Sequence, residues 1–558
     1  MKNMDRRNFV KIAGSSMAGL IIGSTAFANL PPQYLMALPD EISISSGDQQ
    51  MMLSSADRLK WTNKDIEVLI KQEAMQLAVF AQSPTFALNS VQLTWKYHRA
   101  ENTKCLGDHW ERTYGDVGWQ SPEATKKMPW YFMQYDGKNT NCFGVKTGAG
   151  SICYWQINSR QIQLTLNTRS GGKGVQLGDR KLHAADIITT KSVAGEMPFT
   201  TGQRFCKVMC AIPRLAKQPV YGINDWYFAY GNNSSALILE HTALLVELAT
   251  NTGNRPFSVI DAGWAKYSPL LPGDCCWQDD FSKPNNKFND MGKLADDIKN
   301  LGMRPALWTR PLCAAHDDAA TLLLPAIEGR NDSRKPVLDP TIEENIERIK
   351  RNFNTYKQWG YEMVKHDFST FDMLGKWGFE MTDNLTPQGW RFNDNTKTNA
   401  EIIVHLYMAI REAAGDMYLI GCNTVGHLSA GLFEVNRIGD DTSGNEWDRT
   451  RKMGVNALAF RGIHHNTFYA ADADCVGLTN KVPWAKNKQW MQLLAESGTP
   501  LLISAQPDAV GTEQKEFIKK CFIAAAKKQP VGEPLDWMNT LTPSKWKLNG
   551  KVMNFDWS

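Results

Sequence analysis

Two rhythms of apolar and polar positions divide the chain. In the first half apolar residues recur at every second place: Ile162, Leu164 and Leu166 alternate with polar neighbours before a Gly171-Gly172 turn. That is strand spacing. Pro129-Trp130-Tyr131-Phe132 and Ile152-Cys153-Tyr154-Trp155 read as further strands. The pattern predicts an N-terminal β-rich domain over 56–215, most simply a β-sandwich. From 216 to 530 strand-like runs alternate with amphipathic helices, which predicts a parallel sheet. The strand candidates are Val220 to Tyr227, Phe257 to Ala262, Pro305 to Thr309, Met363 to Phe368, Tyr418 to Cys422, Phe433 to Ile438, Phe468 to Ala471 and Pro500 to Ser504. Between them, Met291, Leu294, Ile298 and Leu301 form one helical stripe, and Ile342, Ile346, Ile349, Phe353 and Tyr356 form another. The second has Asp339 placed as N-cap, Pro340 in the first turn and Gly360 just past its end. Eight such units predict an α/β fold, a (β/α)8 TIM barrel preceded by an N-terminal β-sandwich domain.

The two ends carry other signals. Asp5-Arg6-Arg7-Asn8-Phe9-Val10-Lys11, an apolar run to about Ile22 and Ala26-Phe27-Ala28 read as a twin-arginine signal peptide over 1–28. Export to a bacterial periplasm is the expectation. The polar, Ser-rich stretch over 29–55 reads as a linker, and 531–558 as a short C-terminal tail, too few residues for a sandwich of their own. No other apolar run approaches the ~20 residues of a membrane span. A net charge of +4 over 558 residues argues against a nucleic-acid protein. The eleven Cys lack metal-ligand spacing, so no structural zinc is expected, and no other metal or organic cofactor is called for. Cys275-Cys276 is a vicinal pair, a coincidence or a strained bridge. Oligomeric state leaves no mark in the sequence.

In barrels of this kind chemistry gathers at the C-terminal ends of the strands. Those ends supply Asp225 and Trp226, Asp261 and Trp264, Trp308, Lys365 and Asp367, Cys422 and Asn423, Arg437 with Asp440 and Asp441, and Asp472 with Asp474. Ser-His and Cys-His pairings are missing from this set. Acids, Trp and Arg converging in one place are the inventory of a glycoside-cleaving pocket, in which polar groups fix hydroxyls, aromatic rings take the apolar sugar face and two carboxylates do the chemistry. Within it, Lys365 and Asp367 share a strand face, and the cation keeps the acid ionised, as a covalent nucleophile requires. The aromatic, Gly-containing stretch from Asp108 to Trp119 reads as a loop packed over something. The domain carrying it is a sugar-binding module or a passive cover.

The ordered set Asn224-Asp225-Trp226-Tyr227, Ile260-Asp261-Ala262-Gly263-Trp264, Leu338-Asp339-Pro340, Lys365-His366-Asp367-Phe368, Arg437-Ile438-Gly439-Asp440-Asp441-Thr442 and Asp472-Ala473-Asp474-Cys475 resembles the melibiase-type α-galactosidases and raffinose-synthase-like proteins of glycoside hydrolase clan D, families 27 and 36, over about 216–528. The resemblance implies retaining hydrolysis of a terminal α-galactoside-like sugar on an oligosaccharide or glycan, with Asp367 as nucleophile and Asp441, rather than Asp440, as acid/base. It places Arg437 beside the sugar and Lys365 on its hydroxyls. Asp441 is then expected to be protonated at rest, with a raised pKa. Ala262 stands where the family has a second acid. That departure opens alternatives: a β-L-arabinopyranosidase, another α-hexosidase or a transglycosylase. A non-catalytic carbohydrate-binding protein is the alternative from another class.

Overall fold

The computed structural model describes residues 36–249, 252–267, 274–330 and 334–558; the segment read as a signal peptide lies outside them. The N-terminal domain consists of two main antiparallel sheets. One runs Gln49–Met52, Glu41–Ser46, Ser90–Lys96, Gln161–Asn167, Ile152–Ile157, Met128–Pro129. The other runs Lys60–Asn63, Ile66–Glu73, Gln76–Ser83, Gly178–Lys191, Thr140–Val145, Tyr131–Tyr135, Lys104–Gly107. Alternation sets their faces: Ile66, Val68 and Ile70 are buried on one strand, Ile162, Leu164 and Leu166 on another. The stretch read as linker is corrected here. Ile42 and Ile44 are buried strand residues that pair with Leu93 and Val91, so the sandwich begins well before residue 56.

The second domain is a parallel barrel. Its strands are β1 (Tyr221–Asn224), β2 (Phe257–Ile260), β3 (Arg304–Thr309), β4 (Met363–His366), β5 (Tyr418–Gly421), β6 (Val435–Arg437), β7 (Ala470–Asp472), β8 (Val476–Leu478) and β9 (Leu501–Ala505). The order is β7-β6-β5-β4-β3-β2-β1-β9-β8. β7 and β8 are halves of one interrupted strand. The first pairs with β6 and the second with β9, both in parallel, so Ala473-Asp474-Cys475 is the point at which the cylinder closes. Each of the eight predicted strands has its counterpart, and β8 is a further piece beyond the predicted seventh, Phe468 to Ala471.

The interior of the cylinder is filled by Phe257 and Val259, Ala306, Met363, Tyr418 and Ile420, Val435, Ala470 and Leu502. Side chains alternate along a strand, so the next inward positions toward the C-terminal mouth are Asp261, Trp308, Lys365, Cys422, Arg437 and Asp472. The apolar plug thus floors a polar layer.

Among the helices, Met291–Leu301 is capped by the Asp290 side chain, which accepts from Lys293 N at 2.9 Å, and by Gly302 at φ +107°. The helix predicted from Asp339 starts later, at Glu343. Asp339 instead accepts from Thr341 N and Oγ1 and from Asn393 N, which ties a turn to the following loop. The short tail expected at 531–558 carries structure of its own. It forms a three-stranded antiparallel sheet, Glu533–Pro534, Lys545–Leu548 and Lys551–Asn554. The Trp537 ring in it lies 5.5 Å from those of Trp119 and Phe199 and 5.8 Å from that of Phe460, so the segment clasps both domains.

Candidate active site

The polar layer is knit by short contacts. Lys365 Nζ donates to Asp261 Oδ2 at 2.7 Å, and Asn224 Nδ2 donates to the same oxygen at 2.7 Å. Asp225, expected to face substrate, turns inward instead. It accepts from the Asp261 backbone N and from Asn233 Nδ2, both at 2.7 Å. Burial and the neighbouring Asp261 charge push its carboxyl up to about 7. Arg437 donates through Nη2 to Asp441 Oδ1 at 3.0 Å, with Asp474 Oδ2 also at 3.0 Å, and through Nη1 to Cys422 Sγ at 3.7 Å.

Asp367 follows directly on β4. Its Oδ2 accepts from Trp308 Nε1 at 3.0 Å, and its Oδ1 accepts from the backbone N–H groups of Phe368, at 2.8 Å, and Asn423, at 3.1 Å. Burial pushes its carboxyl up, but the charges of Lys365 and Arg112 outweigh this and hold it below the usual range. The next residue, Phe368, adopts φ +63°, a conformation uncommon for a non-glycine residue and a mark of functional sites. It turns the chain so that its own N–H points back at Asp367.

Asp441 behaves differently from its expectation. Burial acts to raise its carboxyl, but Arg437, Arg112 and Lys365 prevail and bring it down to about 2. It rests as an ionised carboxylate, with its side chain 39% exposed. The sequence shows Arg437 four residues away but gives no sign of the second arginine.

That arginine comes from the N-terminal domain. Arg112 Nη2 lies 2.7 Å from Asp440 Oδ1 and Nη1 lies 3.8 Å from Asp441 Oδ1. The loop carrying it pairs with the barrel: Thr113 N donates to Ile438 O and Asp440 N donates to Thr113 O, each at 2.9 Å. Beside it, Glu111 is fully buried. It accepts from Gly378 N at 2.9 Å, from the Tyr114 hydroxyl and from Asn423 Nδ2. A buried ion pair, Asp108 to Arg461 at 2.7 Å, fixes the same loop. The 108–119 stretch therefore does pack over something, and what it covers is this site. Glu111 and Arg112 had no local signal, because their barrel partners Gly378, Asn423, Asp440 and Asp441 are more than 250 residues away in the chain.

The predicted residues separate accordingly. Asp261, Lys365, Asp367, Cys422, Asn423, Arg437 and Asp441 form one network. Trp308 belongs to it as a donor to Asp367 rather than as a face for sugar. Trp226 is half-buried, its ring 5.3 Å from that of Tyr230. Trp264 is set apart. It is fully buried in the apolar cluster outside the cylinder, donates to Trp308 O at 2.8 Å and packs on Phe281, Tyr356 and Trp359; its indole is closed to a sugar. Ala262 is 1% exposed, and its backbone oxygen accepts from Asn233 Nδ2 at 3.1 Å. Asp474, one of the strand-end acids, joins the site: it accepts from Thr442 N and Oγ1, from Tyr227 Oη, and faces Arg437. All eleven thiols are free, and Cys275 and Cys276 lie with their sulfurs 3.7 Å apart. Among the described residues no cluster of three or more metal-ligating side chains occurs, and no helix is long and apolar enough to cross a membrane.

No protein-family model matches the chain, and no curated protein matches it. Solved structures do. An α-galactosidase from Thermus thermophilus, in complex with p-nitrophenyl α-D-galactopyranoside, superposes with a TM-score of 0.59 at 16% identity, over 92% of this chain and 98% of its own. The fold is shared. A GH36 α-galactosidase from Geobacillus stearothermophilus, in complex with 1-deoxygalactonojirimycin, gives 0.57 at 12% identity, over 89% and 72%. A cycloalternan-degrading enzyme from Trueperella pyogenes gives 0.52 at 11% identity, over 93% and 87%. The sandwich-plus-barrel architecture is thus that of the GH36-type α-galactosidases along nearly the whole chain.

Proposed function

We propose that this chain is a retaining glycosidase acting on terminal α-galactoside-like sugars, with Asp367 as nucleophile and Asp441 as acid/base. The reading rests chiefly on Asp367, a buried carboxylate kept ionised and aimed by three N–H donors at the mouth of the barrel. In the first step a carboxylate oxygen of Asp367 bonds to the anomeric carbon while the glycosidic bond breaks. Asp441 gives its proton to the departing oxygen. In the second step Asp441 takes a proton from water, and the water oxygen displaces Asp367 with net retention. The resting, ionised Asp441 suits the second step, and the first draws on the protonated fraction. Asp261 and Lys365, joined at 2.7 Å, are placed to hold sugar hydroxyls. An exported, periplasmic location remains part of the proposal.

Azide tests the two roles separately. With an activated aryl α-galactoside, Asp367→Gly plus azide is expected to give the β-glycosyl azide, because azide takes the place of the nucleophile. Asp441→Gly plus azide is expected to give the α-azide, because azide replaces water on the intermediate. Full wild-type turnover in both variants would sink the assignment. Comparing aryl α-galactoside, α-glucoside and β-L-arabinopyranoside decides the sugar; an α-glucoside preference is the second reading, supported by the likeness to a cycloalternan-degrading enzyme.

A further inference from the structure

An aromatic path leads outward from the two carboxylates. Phe368, next to Asp367, has its ring 5.7 Å from that of Trp377. One face of Trp377 is stacked on Phe371, 4.5 Å between centroids at 24°, and the Arg112 guanidinium lies 5.4 Å from the Trp377 centroid. Arg112 also lies 5.8 Å from the Tyr114 centroid, and Tyr114 meets Phe379 edge-on at 4.9 Å. Phe379 is 60% exposed. The path therefore ends in an open ring held by both domains: Tyr114 comes from the N-terminal loop and Phe379 from the loop after β4.

Packing alone does not account for a phenyl ring left in water beside the half-buried Tyr114 and Trp377. Sugar recognition does, since a sugar ring presents C–H groups on one face and hydroxyls on its rim. Arg112 supplies the complementary polar group. Its Nη2 is committed to Asp440, but Nη1 stands 3.8 Å from Asp441, beyond hydrogen-bond length, and retains donors for a hydroxyl. Asp441 fixes the sense of the path. In the proposed reaction this carboxylate protonates the departing oxygen, so what lies beyond it is the leaving group.

We infer that Phe379, Tyr114 and Arg112 form a leaving-group subsite that takes the second sugar ring of an oligosaccharide, stacked on Phe379 and hydrogen-bonded to Arg112 Nη1. The inference rests on the proposed glycosidase reading and deepens it. It gives the N-terminal domain a role in choosing the aglycone, so that oligosaccharides are preferred over simple alkyl or aryl glycosides.

The test compares two substrates, raffinose, whose leaving group is a disaccharide, and α-galactosyl fluoride, whose leaving group is an ion too small to reach Phe379. The quantity read is the ratio of their kcat/KM values. Phe379→Ala is expected to lower that ratio about ten-fold, the upper end for losing one ring contact, and Phe379→Trp to keep or raise it. Because the side chain is mostly exposed, both variants are expected to fold, which circular dichroism checks. A ratio in Phe379→Ala within two-fold of wild type overturns the subsite while leaving the glycosidase reading intact. An equal fall in Phe379→Trp also overturns it, since stacking would not be the cause. A wild-type protein that hydrolyses neither substrate refutes the functional reading and the subsite together.

Discussion

Trp308→Phe isolates one of the three donors that keep Asp367 ionised. The indole N–H sits 3.0 Å from Oδ2, and phenylalanine keeps the ring in the wall but removes the N–H. A hydrogen bond to a charged acceptor contributes about 1.5–3 kcal/mol, and about 1.4 kcal/mol corresponds to one pH unit of titration. The bond favours the carboxylate over the acid, so losing it raises the pH at which Asp367 takes up a proton, by about one to two units. The Trp264 contact is untouched, because Trp264 donates to the backbone carbonyl of residue 308. The assay is covalent trapping by a 2-deoxy-2-fluoro-α-galactosyl fluoride, followed by mass spectrometry across pH. Fluoride leaves without needing a proton from Asp441, so the acid limb of the trapping rate follows Asp367 alone. An upward displacement of that limb is expected. A limb unmoved within about 0.3 pH unit, with trapping at residue 367 intact, would refute the claim that the Trp308 hydrogen bond helps to keep the nucleophile ionised.

Three further outcomes follow from the same geometry. In the free protein Asp367 and Asp441 both sit below the usual carboxylate range, so the fraction with Asp441 protonated shrinks as pH rises; kcat/KM should peak on the acid side of about pH 5, and a neutral or alkaline optimum contradicts the assignment. Asp108→Asn leaves Arg461 buried without its carboxylate partner and should cost about 3–5 kcal/mol in urea unfolding at pH 7. Although burial acts to raise the Asp108 carboxyl, Arg461 depresses it overall; this stabilisation is present above the unfolded pKa and lost as pH falls, so the gap to wild type should narrow below about pH 4, and equal urea midpoints at pH 7 would dismiss the pair as a fastener. Ala262→Asp should lose about 3 kcal/mol or more, because the carboxylate enters an apolar cluster; wild-type melting together with a new galactoside preference would restore position 262 to the sugar pocket.

Much of the barrel could be read from the chain because its strands are short apolar runs separated by helical stripes, and both patterns are local. The pocket was legible by parity. Positions 261, 308, 365 and 437 continue the inward sets begun by Val259, Ala306, Met363 and Val435. Trp264 lies beyond the end of the strand and donates to Trp308 O from the outer side. The Ser-rich stretch around residue 43 was misread by composition, although Ile42 and Ile44 alternate with polar neighbours as strand residues do. The division of the seventh strand is different. The run from Phe468 to Leu478 is too short to announce two partners, and only closure of the cylinder reveals them.

The dipeptide Glu111-Arg112 shows why the remainder was invisible and what that implies. Arg112 acts on Asp441 directly. Glu111 acts on Asp367 through Asn423, accepting from its side chain while the Asn423 backbone N–H donates to Asp367. Two adjacent residues of the sandwich therefore act on both proposed catalytic carboxylates, alongside Arg437 and Lys365 from the barrel. Their position depends on the Asp108–Arg461 pair and on the Thr113 bridge to Ile438 and Asp440. Separating the domains would accordingly let the Asp441 carboxyl rise and loosen Asp367. The part of the site that Glu111 and Arg112 hold is thus set at the domain junction, which no motif confined to the barrel can encode.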